Sequence, residues 1–245
     1  MRDYFCAFCM CQSMFCAIPF PGTVWEEKAR GRMLLFLPLV GLEIGVIWAL
    51  IAWGVEALAL PRALSALAVS VWPYLATGFL HLDGFMDVTD AVKSCRSLER
   101  RREILKDSHV GSFAVIGVAL LLLAQFAAAS SLPAGRAGAL VLLPVVSRCC
   151  SALAVTVLRP MSTSQYAGQS VSKGQILWLA AVLMFAVLAG AVMLQWLALG
   201  LVGCVAGYVL ALRRSYRSLD GMNGDIAGYC LTMGELAGLV ALAVL

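Results

Sequence analysis

Residues 78–111 read GFLHLDGFMDVTDAVKSCRSLERRREILKDSHVG, and they interrupt a chain that is otherwise mostly apolar. The stretch holds six of the fourteen acidic residues, six of the eighteen Lys and Arg, and both histidines. Its centre is Asp83-Gly84-x-x-Asp87-x-x-Asp90. On a helix these carboxylates fall at i, i+4 and i+7, within an arc of roughly 60°. Three like charges on one narrow stripe repel, and a divalent cation is the usual way to offset them. The bare spacing also fits a solvated helix face. In a chain with only 13% charged residues, such crowding favours a functional reading.

The flanks set the fold class. Of the 245 residues 62% are hydrophobic, and the mean hydropathy is +0.90. Apolar runs of about 20 residues recur along the chain, which marks a multi-pass membrane protein. Spans are predicted at residues 33–53, 61–80, 110–132, 137–158, 175–194, 196–212 and 226–245. The expected fold is all-α: a polytopic membrane helical bundle of about seven transmembrane helices, with residues 1–245 forming a single integral membrane domain. Polar segments near 78–111, 159–174 and 213–225 separate the spans. With the N-terminus inside, 15 Lys and Arg lie on the inner side and only Arg62 and Arg136 outside, while Arg148 lies within a span. The positive-inside rule therefore places all three polar segments on the cytoplasmic face of the cell membrane. The net charge of +4 is small, and no nucleic-acid partner is expected. The oligomeric state is left open.

Residues 1–13 read as an amphipathic lead-in on the membrane surface rather than a signal peptide, for no small-residue cleavage site precedes Pro19-Phe20-Pro21-Gly22. Nine cysteines include the pair Cys6-x-x-Cys9. Its partner pair is badly spaced for zinc, so these cysteines read as small apolar filler in a reducing compartment.

Four constellations could do chemistry. The first joins Asp83, Asp87 and Asp90 to Arg100, Arg101, Arg102 and Lys106. Carboxylates that bind Mg²⁺ beside cations that bind phosphate are what transfer of a phosphorylated group requires. Arg100–Arg102 also suit anchoring at an anionic membrane surface. The second runs from Lys106 through Asp107 and His109 into the next span, with Asp107 a candidate ligand or base. The third is Leu219-Asp220-Gly221-Met222-Asn223-Gly224-Asp225, a tight turn with an Asp at a helix start. Asp225 there is a second carboxylate facing the first group. The fourth is the intramembrane set Glu43, Arg148 and Glu235; such groups are costly and point to function or to a specific ion pair. His81 is a candidate base for the acceptor hydroxyl.

In order along the chain stand Gly78-Phe-Leu-His81-Leu-Asp83-Gly84-Phe-Met-Asp87-Val-Thr-Asp90, Lys106-Asp107-Ser108 with Gly111, and Gly221-x-x-Gly224-Asp225 with Glu235. Pro19-x-Pro21-Gly22 and Phe36-x-Pro38-Leu-Val-Gly41 precede them. This sequence resembles the cobalamin synthase family, the adenosylcobinamide-GDP ribazoletransferases, over nearly its whole length. It departs from the family pattern at Phe79 (a second Gly is common), His109 (Arg is common), and Asp220 and Asn223 (Gly and Thr are frequent). The resemblance implies Mg²⁺-dependent attack by α-ribazole, or its 5′-phosphate, on the cobinamide-linked phosphate of adenosylcobinamide-GDP. GMP leaves, and adenosylcobalamin or its 5′-phosphate forms. Two other classes fit the residues less well. A CDP-alcohol phosphatidyltransferase would need Ala-Arg after Asp83-Gly84-x-x, where Asp87-Val88 stands. A small transporter would place its carboxylates near mid-span, whereas here only Glu43 and Glu235 lie deep.

Overall fold

The computed structural model describes every residue except 1, 21, 23, 24, 163 and 165–171. The α-helices are α1 (Arg2–Phe15), α2 (Leu37–Ala57), α3 (Arg62–Ala76), α4 (Leu80–Lys93), α5 (Leu98–Ile104), α6 (Ser112–Ser131), α7 (Leu143–Val157), α8 (Lys173–Leu194), α9 (Leu199–Leu219) and α10 (Gly224–Val244). Short 3₁₀ segments, Glu27–Phe36, Ala137–Val141 and Gln195–Ala198, lead into α2, α7 and α9. No strand occurs among the described residues; Pro160 and Met222 pair only as an isolated bridge. The protein is an all-α membrane bundle.

Local sequence explains where the helices start. Ser172 and Gln175 form a reciprocal capping box at the start of α8, which satisfies two orphan N–H groups. Asn223 caps α10 by accepting from the Ile226 N–H at 3.0 Å. Ser97 caps α5 in the same way through the Arg100 N–H.

Among the described residues five helical stretches are long and apolar enough to cross a membrane: Glu27–Ala57, Ser112–Ser131, Ala137–Val157, Lys173–Leu219 and Gly224–Val244. The bent pair α3–α4 makes a sixth. Lys173–Leu219 has 47 residues. A straight helix of that length would run about 70 Å at 1.5 Å per residue, more than twice the ~30 Å hydrocarbon core. It is broken at Gln195, where φ is +52°, and both α8 and α9 pack against α7. With α8 and α9 taken separately, the segments number about seven.

The second expected span, 61–80, is not one straight helix. α3 stops at Ala76, and α4 leaves it at 88°. Gly78 and Phe79 at the bend both have positive φ, +56° and +65°. Glycine takes that conformation freely, whereas Phe79 is held there against the Cβ clash. After the bend α4 runs alongside α10 and α6. The acidic stripe therefore lies on a helix packed into the bundle, not on a polar loop at a helix mouth.

α1 also departs from expectation. It is packed against the bundle, with Cys6, Ala7, Cys9, Met10 and Cys11 buried. The main buried cluster runs from Cys6 to Leu242, so α1 shares the core of the spanning helices. All nine cysteines are free thiols, and eight of them are buried. Small residues let α9 and α10 close on each other: a Cβ at Gly203 would stand 2.9 Å from that of Ala241.

Candidate functional site: a carboxylate face between α4 and α10

The site is made by the contact of α4 with α10. A Cβ placed at Gly84 would lie 2.9 Å from both Cα and the carbonyl O of Asp225. The two backbones thus touch at a point that only glycine permits. One helix position before Gly84 stands Asp83, and three after it stands Asp87. Asp83 is exposed, while Asp87 and Asp225 are half-buried. Asp87 lies within electrostatic reach of Asp83, Asp225 and Asp90, and Asp225 within reach of Asp83. Asp225 is aimed by its own cap: the Asn223 amide donates to its Oδ2 at 2.7 Å. Asn223, a departure from the family pattern, therefore both starts α10 and orients the carboxylate. On the flank of the site the Phe85 and Tyr229 rings stack, with centroids 5.4 Å apart. Arg214, on α9, lies within electrostatic reach of Tyr229.

Asp90 belongs to a different arrangement. Its Oδ2 accepts the Gly111 N–H at 2.6 Å, and its Oδ1 accepts the Ala114 N–H at 2.9 Å. It is the carboxylate cap of α6, supplied from another helix, and it complements the positive end of the α6 dipole. Both its oxygens are spent on backbone. Among the described residues no three His, Cys, Asp or Glu side chains gather closely enough to hold a metal ion. Neither the expected ligand set Asp83, Asp87 and Asp90 nor the set with Asp225 in place of Asp90 is drawn together as one cluster. Asp83, Asp87 and Asp225 supply the hard oxygen donors that a divalent cation keeping several waters takes from a protein.

The basic residues divide as well. Arg101 Nη1 donates to the Ser218 carbonyl at 3.2 Å, and Arg102 donates to the Leu219 and Asp220 carbonyls at 3.0 and 2.7 Å. These two residues, expected on phosphate, dock α5 against the α9–α10 turn. Arg159 also bonds Asp220, at 2.6 Å. The Met161 N–H donates to the Met222 carbonyl at 2.9 Å, and the Met222 N–H to the Arg159 carbonyl at 2.9 Å. All three polar segments therefore meet at the turn before Asp225, though residues 163 and 165–171 of the second lie outside the described part. Arg100 forms an exposed ion pair with Glu103 at 2.6 Å, and Lys106 is exposed. Asp107 pairs with His109 at 2.7 Å on the surface. The His109 backbone N–H and ring hold the Asp107 carboxyl below its usual range.

His81 is on the other side of α4 from the carboxylates. It is buried against α10, where a Cβ on Gly228 would stand 3.2 Å from its Cα. Its Nε2 has no partner among the described residues.

Deeper still, Arg148 is fully buried and paired with Glu235. Ser147 supports the pair with a 2.7 Å bond to the same Glu235 oxygen. Glu43 is not the partner; it accepts from the Gln12 amide at 2.6 Å. Gly41 makes room for the guanidinium, for a Cβ there would meet Arg148 Cδ at 2.8 Å.

With this geometry in place, comparison with known proteins is decisive. A family model described as cobalamin-5-phosphate synthase matches residues 7–243. The chain belongs to the cobalamin-5-phosphate synthase family. A relative from Clostridium perfringens (strain SM101 / Type A), named adenosylcobinamide-GDP ribazoletransferase, is 34% identical over the full length of both chains. One of the same name from Clostridium botulinum (strain Alaska E43 / Type E3) is 31% identical, covering 98% of this chain and 97% of its own. Another from Geotalea daltonii is 32% identical, covering 100% and 98%. No solved structure matches.

The turn and cap at Gly221–Asp225 are legible in the sequence, and Asn223 makes that cap. Two features of the site are not. Arg214 stood unmarked in a basic run. Phe15, which flanks His81, carried no signal beyond apolarity.

Proposed function

We propose that this protein is the ribazoletransferase its relatives are named for. It would join adenosylcobinamide-GDP to α-ribazole or α-ribazole 5′-phosphate, with release of GMP. The observation that carries the reading is the face formed by Asp83, Asp87 and Asp225 at the Gly84 contact, in a chain that matches this family end to end. In the reaction a ribose hydroxyl oxygen bonds to the cobinamide-linked phosphorus. The bond from that phosphorus to the bridging oxygen breaks, and GMP departs with the electron pair.

Asp83 and Asp87, with Asp225, would hold Mg²⁺ together with the pyrophosphate. Bound there, the ion would screen phosphate oxygens and the charge that develops on the leaving group. The residues themselves position the substrates. Asp225, oriented by Asn223, would accept the proton of the attacking hydroxyl. Lys106, exposed just after the docked α5, would meet phosphate, as would Arg100 on α5 by exchanging its exposed Glu103 partner; Arg101 and Arg102 keep that helix in place. No observation favours the phosphatidyltransferase or transporter readings.

The site is proposed to face the cytoplasm from the cell membrane, as the distribution of Lys and Arg supports. Cys95 is the one exposed thiol. A membrane-impermeant maleimide should label it only after permeabilisation, and labelling in sealed cells would reverse the orientation. The activity is tested by incubating purified protein with adenosylcobinamide-GDP, α-ribazole and Mg²⁺. GMP should appear with a cobamide in equal amount; no GMP would refute the reading.

A further inference from the structure

A cavity of about 160 Å³ lies behind the carboxylate face. Its walls include Phe15 from α1, Leu37 from α2, His81 from α4, Val155 and Ser151 from α7, and Asp225 from α10. Asp225 belongs to both places, so the cavity adjoins the face where the chemistry is proposed. Most of the wall is apolar. The exceptions are Ser151, Asp225 and His81, a residue only 9% exposed whose Nε2 is buried and without a partner among the described residues. The Phe15 ring lies nearly parallel to that of His81, 18° apart with centroids at 6.4 Å.

We infer that this cavity receives the flat aromatic base of the acceptor nucleoside, with His81 Nε2 bonding a ring nitrogen of the base. The inference rests on the ribazoletransferase reading and adds its acceptor pocket. Size is the first argument: an apolar cavity of about 150 Å³ holds a benzene ring, so this one takes one end of a flat fused-ring base, the rest reaching out toward Asp225, and excludes a corrin macrocycle. Polarity is the second. A lipid chain would leave the His81 nitrogen desolvated and unpaired, which is unfavourable. A heteroaromatic base covers the apolar wall and satisfies that nitrogen together. Guanine, the other base in the reaction, shows polar groups along its whole edge; with His81, Ser151 and Asp225 as its polar groups, this wall suits the less polar base. The third argument is placement. A base seated here brings its ribose to Asp225 and hence to the phosphate held by the carboxylates.

The test is equilibrium binding of α-ribazole to the full-length detergent-solubilised protein, with kinetics alongside. Val155→Phe fills the cavity from a position away from the carboxylates. It should weaken α-ribazole binding at least tenfold and raise the KM for α-ribazole alike. The KM for adenosylcobinamide-GDP and inhibition by GMP should stay within twofold. The analogue with a ring C–H in place of the free ring nitrogen should bind the wild type several-fold more weakly than α-ribazole, and His81→Leu should erase that difference. Comparable melting temperatures establish that both variants fold, and Phe15→Ala is the substitute if Val155→Phe does not. Undiminished α-ribazole binding in Val155→Phe, with GMP release intact, overturns the pocket while the transferase reading stands. Selective loss of GMP inhibition assigns the cavity to guanine and also overturns it. Failure of the wild type to release GMP counts against the transferase reading, and failure to bind α-ribazole against the pocket.

Discussion

Gly84 on α4 stands against the backbone of Asp225 on α10, so closely that a Cβ would lie 2.9 Å from Asp225 Cα. Backbone cannot step aside as a flexible side chain can. This contact fixes the distance between the two halves of the carboxylate face.

Gly84→Ala should therefore separate α4 from α10, cost about 1–3 kcal/mol as an overpacked contact, and remove most of the turnover. Gly54→Ala is the contrast. Gly54 is within α2 and has nothing within 4 Å of its added Cβ. It should be neutral or stabilising by up to about 1 kcal/mol. Thermal melts and GMP release on both variants decide this; normal activity in Gly84→Ala would show that the spacing is not critical.

Asp83 and Asp87 crowd one face with like charge, so relieving either should stabilise the metal-free protein while abolishing function. Asp83→Asn and Asp87→Asn are expected to raise the melting temperature without Mg²⁺ by about 2–4 °C, the response of a chain this size to ~1 kcal/mol. Turnover should fall by orders of magnitude. Mg²⁺ should raise the melting temperature of the wild type, by about 2.7 kcal/mol in stability at a hundredfold excess over its Kd, and have little effect on either variant. Equal responses to Mg²⁺ in all three proteins would remove the metal from this face.

Asp90→Ala should behave in the opposite sense. Losing a buried carboxylate that caps two N–H groups of α6 costs about 1–3 kcal/mol, whatever the metal concentration. The melting temperature should drop with or without Mg²⁺. A variant as stable as wild type that fails only at limiting Mg²⁺ would return Asp90 to the metal site.

Arg148 and Glu235 make a buried pair, and breaking one half should be worse than removing both. Arg148→Met leaves Glu235 uncompensated, at about 3–5 kcal/mol; Arg148→Met with Glu235→Leu should recover much of that. A double-mutant cycle on melting data in detergent measures the coupling. Exposed Lys93 is the control; Arg136 would not serve, since it bonds the Leu242 carbonyl and lies over the Trp196 ring. Additive effects would mean that the pair contributes no coupling.

The sequence by itself determined that this is a membrane bundle. Apolar runs of bilayer length need no tertiary information, because each helix satisfies its own backbone. It also determined that the chemistry-bearing residues fall in three polar segments, and the order of Asp83-Gly84, Asp87 and Asp225 pointed to the family. What it could not decide was which carboxylates share a face. Asp83, Asp87 and Asp90 share one stripe of an ideal helix, but α6 begins beside Asp90, and its unsatisfied N–H groups claim that carboxylate. The same holds for Arg101 and Arg102, which bond the carbonyls of a turn more than a hundred residues away. Helical periodicity reports direction around one axis. The partner of each polar group is set by which other helix end arrives there, and only the packing of α4 between α6 and α10 supplies that.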